Sequence, residues 1–284
     1  MLNDKDLGIF IDKAISSVAP RFWGVRDHKF IVITSPMGRA GTTAIYRVFR
    51  NNADFIAYGE DHHPFKILAM LFSQAAWSMK NINFQRAVFQ ENSKKNDSWE
   101  VLSLPPQPIL TNTSLECAYF YMSSYVSECK NGQTVVIKKP SARINFLFSF
   151  QRLFPNTKII FLHRDIRECI MSNISYHQKK NFDESDIENW IKNWISESIK
   201  FYKSSEKNKI ILDYSRICPV YVKDVFEKNK VFLTDNDYNI LSKKVNNYNT
   251  YLKPVKITEP FEKYFEKYQD EIDRINLLFQ TGKP

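Results

Sequence analysis

Residues 29–34 (KFIVIT) form a short β-branched apolar run that stops at Ser35, Pro36 and Gly38, the pattern of a strand buried on both faces that opens into a loop. Beyond the loop, Ile45, Val48 and Phe49 recur at helical spacing while Arg47 and Arg50 take the opposite side, which predicts a helix over about 42–52. Phe55 to Tyr58 reads as a second short strand ended by Gly59. A helical pattern runs from His62 to about Met79, and residues 92–112, which include SLPPQPILTN, read as a long polar loop. TVVIK (134–138) and KIIFL (158–162) are two further buried strands, with a helical pattern between them from Ser141 to Phe154. Helices are predicted from Ile166 to about Gln178 and from Asp183 to Ser204, the second with Trp190, Trp194 and Ile195 on one face. KIILDY (209–214) is the last core strand, and Glu262 to Leu278 reads as a C-terminal helix.

Strands alternating with helices predict an α/β fold with a parallel, P-loop-like sheet covered by helices on both faces. The 284 residues suit a single domain with helical insertions, its nucleotide-binding core over about 29–214 and a helical extension over about 219–284. In such sheets ligands gather at the carboxyl ends of the strands, so the loops after residues 34, 58, 138, 162 and 214 are where a site is expected.

Charge and cysteine usage narrow this picture only a little. A net charge of +9 attracts anions in general: nucleotides, acidic glycans, nucleic acid, membrane surfaces. Lys and Arg form no dense run and no aromatic RNA-binding motif, which argues against nucleic acid and leaves peripheral membrane contact open. Cys117, Cys129, Cys169 and Cys218 lie far apart with no CxxC pair, so no zinc site or disulfide scaffold is expected and all four read as buried thiols. Charged residues scattered through the first 21 positions exclude a signal peptide there, and no apolar run approaches the ~20 residues of a membrane span. A cytoplasmic protein is the expectation.

Two of the chain's seven glycines fall in the loop Ser35-Pro-Met-Gly-Arg-Ala-Gly-Thr-Thr43, between a strand and a helix. Gly38 and Gly41 let the backbone bend so that successive N–H groups converge on an anion, and the helix start adds the positive end of its dipole. Thr42 and Thr43 add hydroxyl donors. A nucleoside triphosphate loop would carry GxxxxGK[ST]; here Thr42 follows the last glycine, and the cation, Arg39, precedes it. A P-loop kinase or NTPase, a non-catalytic nucleotide-binding protein and an incidental strand-to-helix turn remain the alternatives for this segment taken alone.

The segment GRAGTT resembles the 5′-phosphosulfate loop, of the type P-[KR]-S-G-T-T, of sulfotransferases that use 3′-phosphoadenosine 5′-phosphosulfate. Arg39, Gly41, Thr42 and Thr43 match that pattern, while Gly38 stands for its Pro and Ala40 for its Ser, so that Ala40 offers backbone contact only. Further on, Arg164 follows a strand and Ser172 lies eight residues later, the spacing with which the family binds the 3′-phosphate. Arg supplies a planar fork for phosphate oxygens and Ser a directional donor. Lys138-Lys-Pro140 resembles the family's K-[ST]-P element, and Tyr214 its strand-ending Tyr near the nucleotide. The missing glycine-rich nucleotide loop of the small-molecule branch favours a bacterial or carbohydrate-type relative. The resemblance covers residues 29–214 and implies transfer to a hydroxyl of a glycan or another polar metabolite, with adenosine 3′,5′-bisphosphate as product and no metal.

That chemistry needs a base for the acceptor proton, positive charge near the leaving oxygen, and in-line positioning. Arg39 and Lys138 are the candidate cations. Glu60, Asp61, His62 and His63 cluster after the second strand. The family's use of a Glu or a His there makes Glu60 and His62 the alternative bases. A carboxylate at its ordinary pKa of about 4.3 is a poor base at neutral pH unless burial raises it, so Glu60 is expected to be buried. Trp190 and Trp194, one turn apart, either line an acceptor cleft or pack the core.

Overall fold

A computed structural model describes residues 15–60, 107–130, 132–176, 184–242 and 259–281. Residues 61–106, with Asp61, His62, His63, the helical pattern to Met79 and most of the predicted polar loop, lie outside them. The chain forms two compact units, residues 29–61, 129–148 and 157–284 in one and residues 1–28, 62–128 and 149–156 in the other.

The larger unit is built on five strands: β1 (Phe30–Thr34), β2 (Phe55–Glu60), β3 (Thr134–Lys138), β4 (Thr157–His163) and β5 (Lys209–Asp213). All neighbours are parallel and the order is β2-β3-β1-β4-β5. The chain moves to one side of β1 for β2 and β3 and to the other for β4 and β5, so the switch point falls at the carboxyl ends of β1 and β4. Every residue of β1 is buried, as its unbroken apolar run requires. On one face Ile31, Ile33, Val136, Ile160, Leu162 and Leu212 pack with Val48 and Phe49 of the helix Thr42–Arg50 and with Phe226 of the helix Pro219–Lys228. On the other, Phe161 stacks on Phe201 of the helix Glu184–Lys203 at 4.1 Å between ring centroids and on Phe279 of the helix Gln269–Thr281 at 5.7 Å. Burying each such side chain contributes about 1.5–3 kcal/mol, enough to fix which face each helix covers.

The smaller unit is helical where it is described. Tyr119, on the helix Gln107–Ser127, stacks on Phe22, meets Phe154 edge-on and donates its hydroxyl to the Leu153 carbonyl at 3.2 Å. Burial pushes its phenol up to about 12.

Four expectations need correction. The loop expected through residue 112 gives way to helix at Gln107, where Pro108 fits a first turn that has no N–H bond to lose. The second strand continues through Gly59 to Glu60 by means of an irregularity in its pairing with β3. The single C-terminal helix is two, Glu259–Lys267 and Gln269–Thr281, parted at Tyr268, whose hydroxyl donates to Glu188 at 2.7 Å. Of the cysteines only Cys169 is buried; Cys117 and Cys218 are exposed and Cys129 half-buried, and none is in a disulfide. Among the described residues no helix is long and apolar enough to cross a membrane.

Candidate functional site

The loop after β1 is braced before it turns. The Ser35 hydroxyl, fully buried, donates to the Met37 carbonyl at 2.6 Å, and the amides of Lys139 and Ser141 donate to the carbonyls of Ile33 and Ser35. Arg39 then takes a left-handed conformation (φ 68°), unusual for a residue with a Cβ and worth about 1 kcal/mol of strain, and Gly41 another (φ 91°). Gly41 is the N-cap of the helix Thr42–Arg50 and no side chain caps that end. The Ala44 amide bonds back to the Gly41 carbonyl at 2.9 Å, which leaves the amides of Thr42 and Thr43 as the ones a loop ligand can use.

Gly41 is required twice over. Beyond its positive φ, a Cβ there would lie 2.3 and 2.4 Å from two ring atoms of Tyr214. The Tyr214 ring in turn carries the Arg164 guanidinium at 4.2 Å from its centroid. Gly41→Ala is therefore expected to cost about 1–3 kcal/mol of stability from strain and displacement of the ring. Gly24→Ala, where nothing lies within 4 Å, is the control in the same thermal melts and should be neutral.

Arg164 stands where β4 ends. Its Nη1 donates to the Arg39 carbonyl at 2.8 Å and its Nε to Glu168 at 2.8 Å, one helical turn on. Its own carbonyl accepts from the Trp194 indole at 3.2 Å, and Trp194 is fully buried, so that tryptophan packs the core and supports the site from below. Arg39 reaches the other way: its Nε donates to the Ser172 hydroxyl at 3.3 Å and its guanidinium lies 4.4 Å over the Tyr176 ring. Both residues are on the helix Ile166–Tyr176. The two arginines and Ser172, far apart in sequence, form one connected patch at the switch point.

At the neighbouring strand ends, Lys138 is buried and its ammonium donates to the Thr43 hydroxyl at 2.9 Å and to Glu60 at 2.7 Å. Glu60 is opposite Lys138 in the β2–β3 register because the pairing skips Gly59. Against expectation, the Glu60 side chain is half exposed. His62, the other candidate base, lies outside the described residues. Gly38 and Ala40 contribute backbone to the loop, Ala40 fully buried.

Beside Arg164 a cavity of about 150 Å³ is lined by His163, Asp213, Tyr214, Ser215, Asn276 and Gln280, among others. His163 is stacked on Phe279 at 4.2 Å and pairs through Nε2 with the Asn276 side-chain oxygen at 3.0 Å, while Asn276 donates to Asp165 at 2.6 Å. Burial holds the His163 imidazole below its ordinary range, against the opposing influence of the Asn276 bond and of Asp213 and Asp165. An unfolded His, at about 6.5, takes up its proton before the folded one does, so stability is lost as pH falls below about 6.5. Thermal midpoints should decline from pH 7 to pH 5, and the decline should be shallower in His163→Gln, which puts a polar amide in place of the imidazole but cannot titrate. Parallel slopes would contradict this.

Of the residues named from sequence, the structure brings Arg39, Gly41, Thr43, Glu60, Lys138, Arg164, Ser172 and Tyr214 to these strand ends; Tyr176, Glu168 and Asn276, which lie beside them, were not named. Tyr176 and Glu168 were recoverable, since each lies four residues from a named residue, Tyr176 from Ser172 on the same predicted helix and Glu168 from Arg164 just before that helix begins.

A family model described as the sulfotransferase family matches residues 31–230. Among solved structures, sulfotransferase STF1 from Mycobacterium tuberculosis H37Rv aligns with a TM-score of 0.50 at 13% identity, over 92% of this chain and 81% of that one. The sulfotransferase domain of the olefin synthase from Synechococcus PCC 7002 aligns with a TM-score of 0.49 at 12% identity, over 91% of this chain and 97% of that one. No curated protein matches.

Proposed function

The chain belongs to the sulfotransferase family, and we propose that it moves a sulfuryl group from 3′-phosphoadenosine 5′-phosphosulfate to a hydroxyl of a glycan or another polar metabolite in the cytoplasm. The observation that carries the reading is the connected patch at the switch point, where Arg164 donates to the Arg39 carbonyl at 2.8 Å and Arg39 to Ser172 at 3.3 Å. A nucleotide with phosphate on both its 3′ and 5′ carbons needs two cations at one such crevice. Arg164 and Ser172 take the 3′-phosphate; Arg39, Thr42, Thr43 and the uncapped helix end take the 5′-phosphosulfate, with Gly38, Ala40 and Gly41 lending backbone and Tyr214 its ring.

In the transfer, the acceptor oxygen bonds to sulfur as the bond from sulfur to the 5′-phosphate oxygen breaks, and adenosine 3′,5′-bisphosphate leaves. The acceptor proton passes to Glu60, with His62 the alternative base. Arg39 and Lys138 offset the charge that grows on the leaving oxygen, so catalysis is positioning plus fixed positive charge. Lys138, held between Thr43 and Glu60, links the donor side to the base.

The test is release of adenosine 3′,5′-bisphosphate from the donor in the presence of a panel of hydroxyl-bearing glycans and metabolites, with a chelator present throughout. Acceptor-dependent release supports the reading. Phosphoryl transfer from ATP that the chelator stops, with no turnover of the sulfated donor, would replace it with a P-loop kinase.

A further inference from the structure

We infer that Tyr176 is a positioning residue for Arg39: with Ser172 it forms a seat on the helix Ile166–Tyr176 that holds the loop cation at the nucleotide crevice. The inference rests on the nucleotide reading above for its functional consequence, and on geometry alone for the seat itself. Ser172 and Tyr176 are four residues apart and therefore on one face of the helix. Arg39 meets both, through Nε at 3.3 Å to the Ser172 hydroxyl and through its guanidinium plane at 4.4 Å to the Tyr176 ring.

The seat has a reason to exist. Arg39 is on a loop, in a left-handed backbone conformation, and its carbonyl is taken by Arg164. Its side chain has four rotatable bonds and, without a partner, would sample many rotamers, so ordering it on ligand binding would be costly. One bond to a hydroxyl fixes Nε; an aromatic face below the guanidinium fixes the plane. Tyr176 is half exposed, at 49%, so the ring is not there to fill the core.

Ser172 also joins the two ends of the crevice. A serine hydroxyl has one proton to give and two lone pairs to receive. In accepting from Arg39 Nε it keeps its proton for a phosphate oxygen. A 3′-phosphate that captures that proton fixes the hydroxyl rotor, and with it the acceptor on which Arg39 is seated. The 3′-phosphate is thereby felt at the 5′ end, through Ser172 and Arg39.

Two measurements test this. In the ligand-free chain, nitrogen relaxation of the Arg39 Nε–H should report an ordered side chain that becomes mobile in Tyr176→Ala and stays ordered in Tyr176→Phe. In calorimetric titrations with adenosine 3′,5′-bisphosphate, Tyr176→Ala should weaken binding about three- to tenfold, the range a cation over an aromatic face supports. Tyr176→Phe should bind within about twofold of the parent, because the ring and not the hydroxyl makes the contact. In an Arg39→Gln background the Tyr176→Ala loss should fall to about 1.5-fold or less, since a residue that acts through Arg39 has nothing left to act on. Thermal midpoints of the Tyr176 variants should match the parent. An equal loss with and without Arg39, a phenylalanine as harmful as alanine, or an Arg39 side chain whose mobility ignores Tyr176 would each overturn the inference. Failure of the parent chain to bind the bisphosphate, with Arg39 ordered by Tyr176 in the relaxation data, would sink the nucleotide reading and leave the seat intact.

Discussion

Arg164→Ala is expected to weaken binding of adenosine 3′,5′-bisphosphate by about two orders of magnitude, with two charge-assisted phosphate bonds lost at about 1.5 kcal/mol or more apiece and each 1.4 kcal/mol worth tenfold. The fold should survive. The Trp194 bond goes to the Arg164 backbone carbonyl, which alanine keeps, and the Glu168 partner is an exposed carboxylate whose ion pair contributes at most about 1 kcal/mol. Tyr214 loses the cation over its ring and the Arg39 carbonyl loses a donor, so some of the deficit will come from a loosened loop. Calorimetric titration against the parent decides: a loss below about threefold would show that no phosphate meets this guanidinium.

Glu60→Gln should leave donor binding within about threefold and depress turnover by about 10²- to 10⁴-fold, the range for removal of a positioned general base. Glutamine is the informative change because its side-chain oxygen can still accept from Lys138, keeping the geometry at the β2–β3 ends while abolishing proton uptake. The readout is kcat at saturating donor with the best acceptor from the panel, alongside His62→Gln. If Glu60→Gln turns over normally and His62→Gln does not, the base is His62 and Glu60 serves only to hold Lys138.

The inner strands were legible because each carries three or four consecutive apolar residues, FIVI in β1, VVI in β3 and IIFL in β4, and a run buried on both faces shows no polar alternation. The glycine loop after β1 was legible because Gly41 is confined by positive φ and by Tyr214, so that geometry dictates the residue. The helix Gln107–Ser127 was hidden by a proline-rich stretch of sequence that reads as loop, although Pro108 sits in its first turn. The break between the two C-terminal helices was hidden for the opposite reason: no Gly or Pro marks it, and Tyr268 leaves the helix to meet Glu188, 80 residues away. Within the site, motifs named Glu60 and Lys138 separately. Their pairing depends on β3 lying between β1 and β2 and on the skipped Gly59, which are properties of strand order and register, not of either motif. The link from Arg39 to Ser172 likewise exists only once β4 lies next to β1.

The most direct measurement compares, in one titration series, adenosine 3′,5′-bisphosphate with adenosine 5′-monophosphate and adenosine 3′-monophosphate. If Arg39 and Arg164 grip opposite ends of one ligand, the bisphosphate binds about 100-fold or more tightly than either monophosphate, each missing phosphate costing about 3 kcal/mol. Arg39→Ala should then erase the advantage given by the 5′-phosphate and Arg164→Ala the one given by the 3′-phosphate. Equal affinity for all three nucleotides, or no binding of any, would contradict the account.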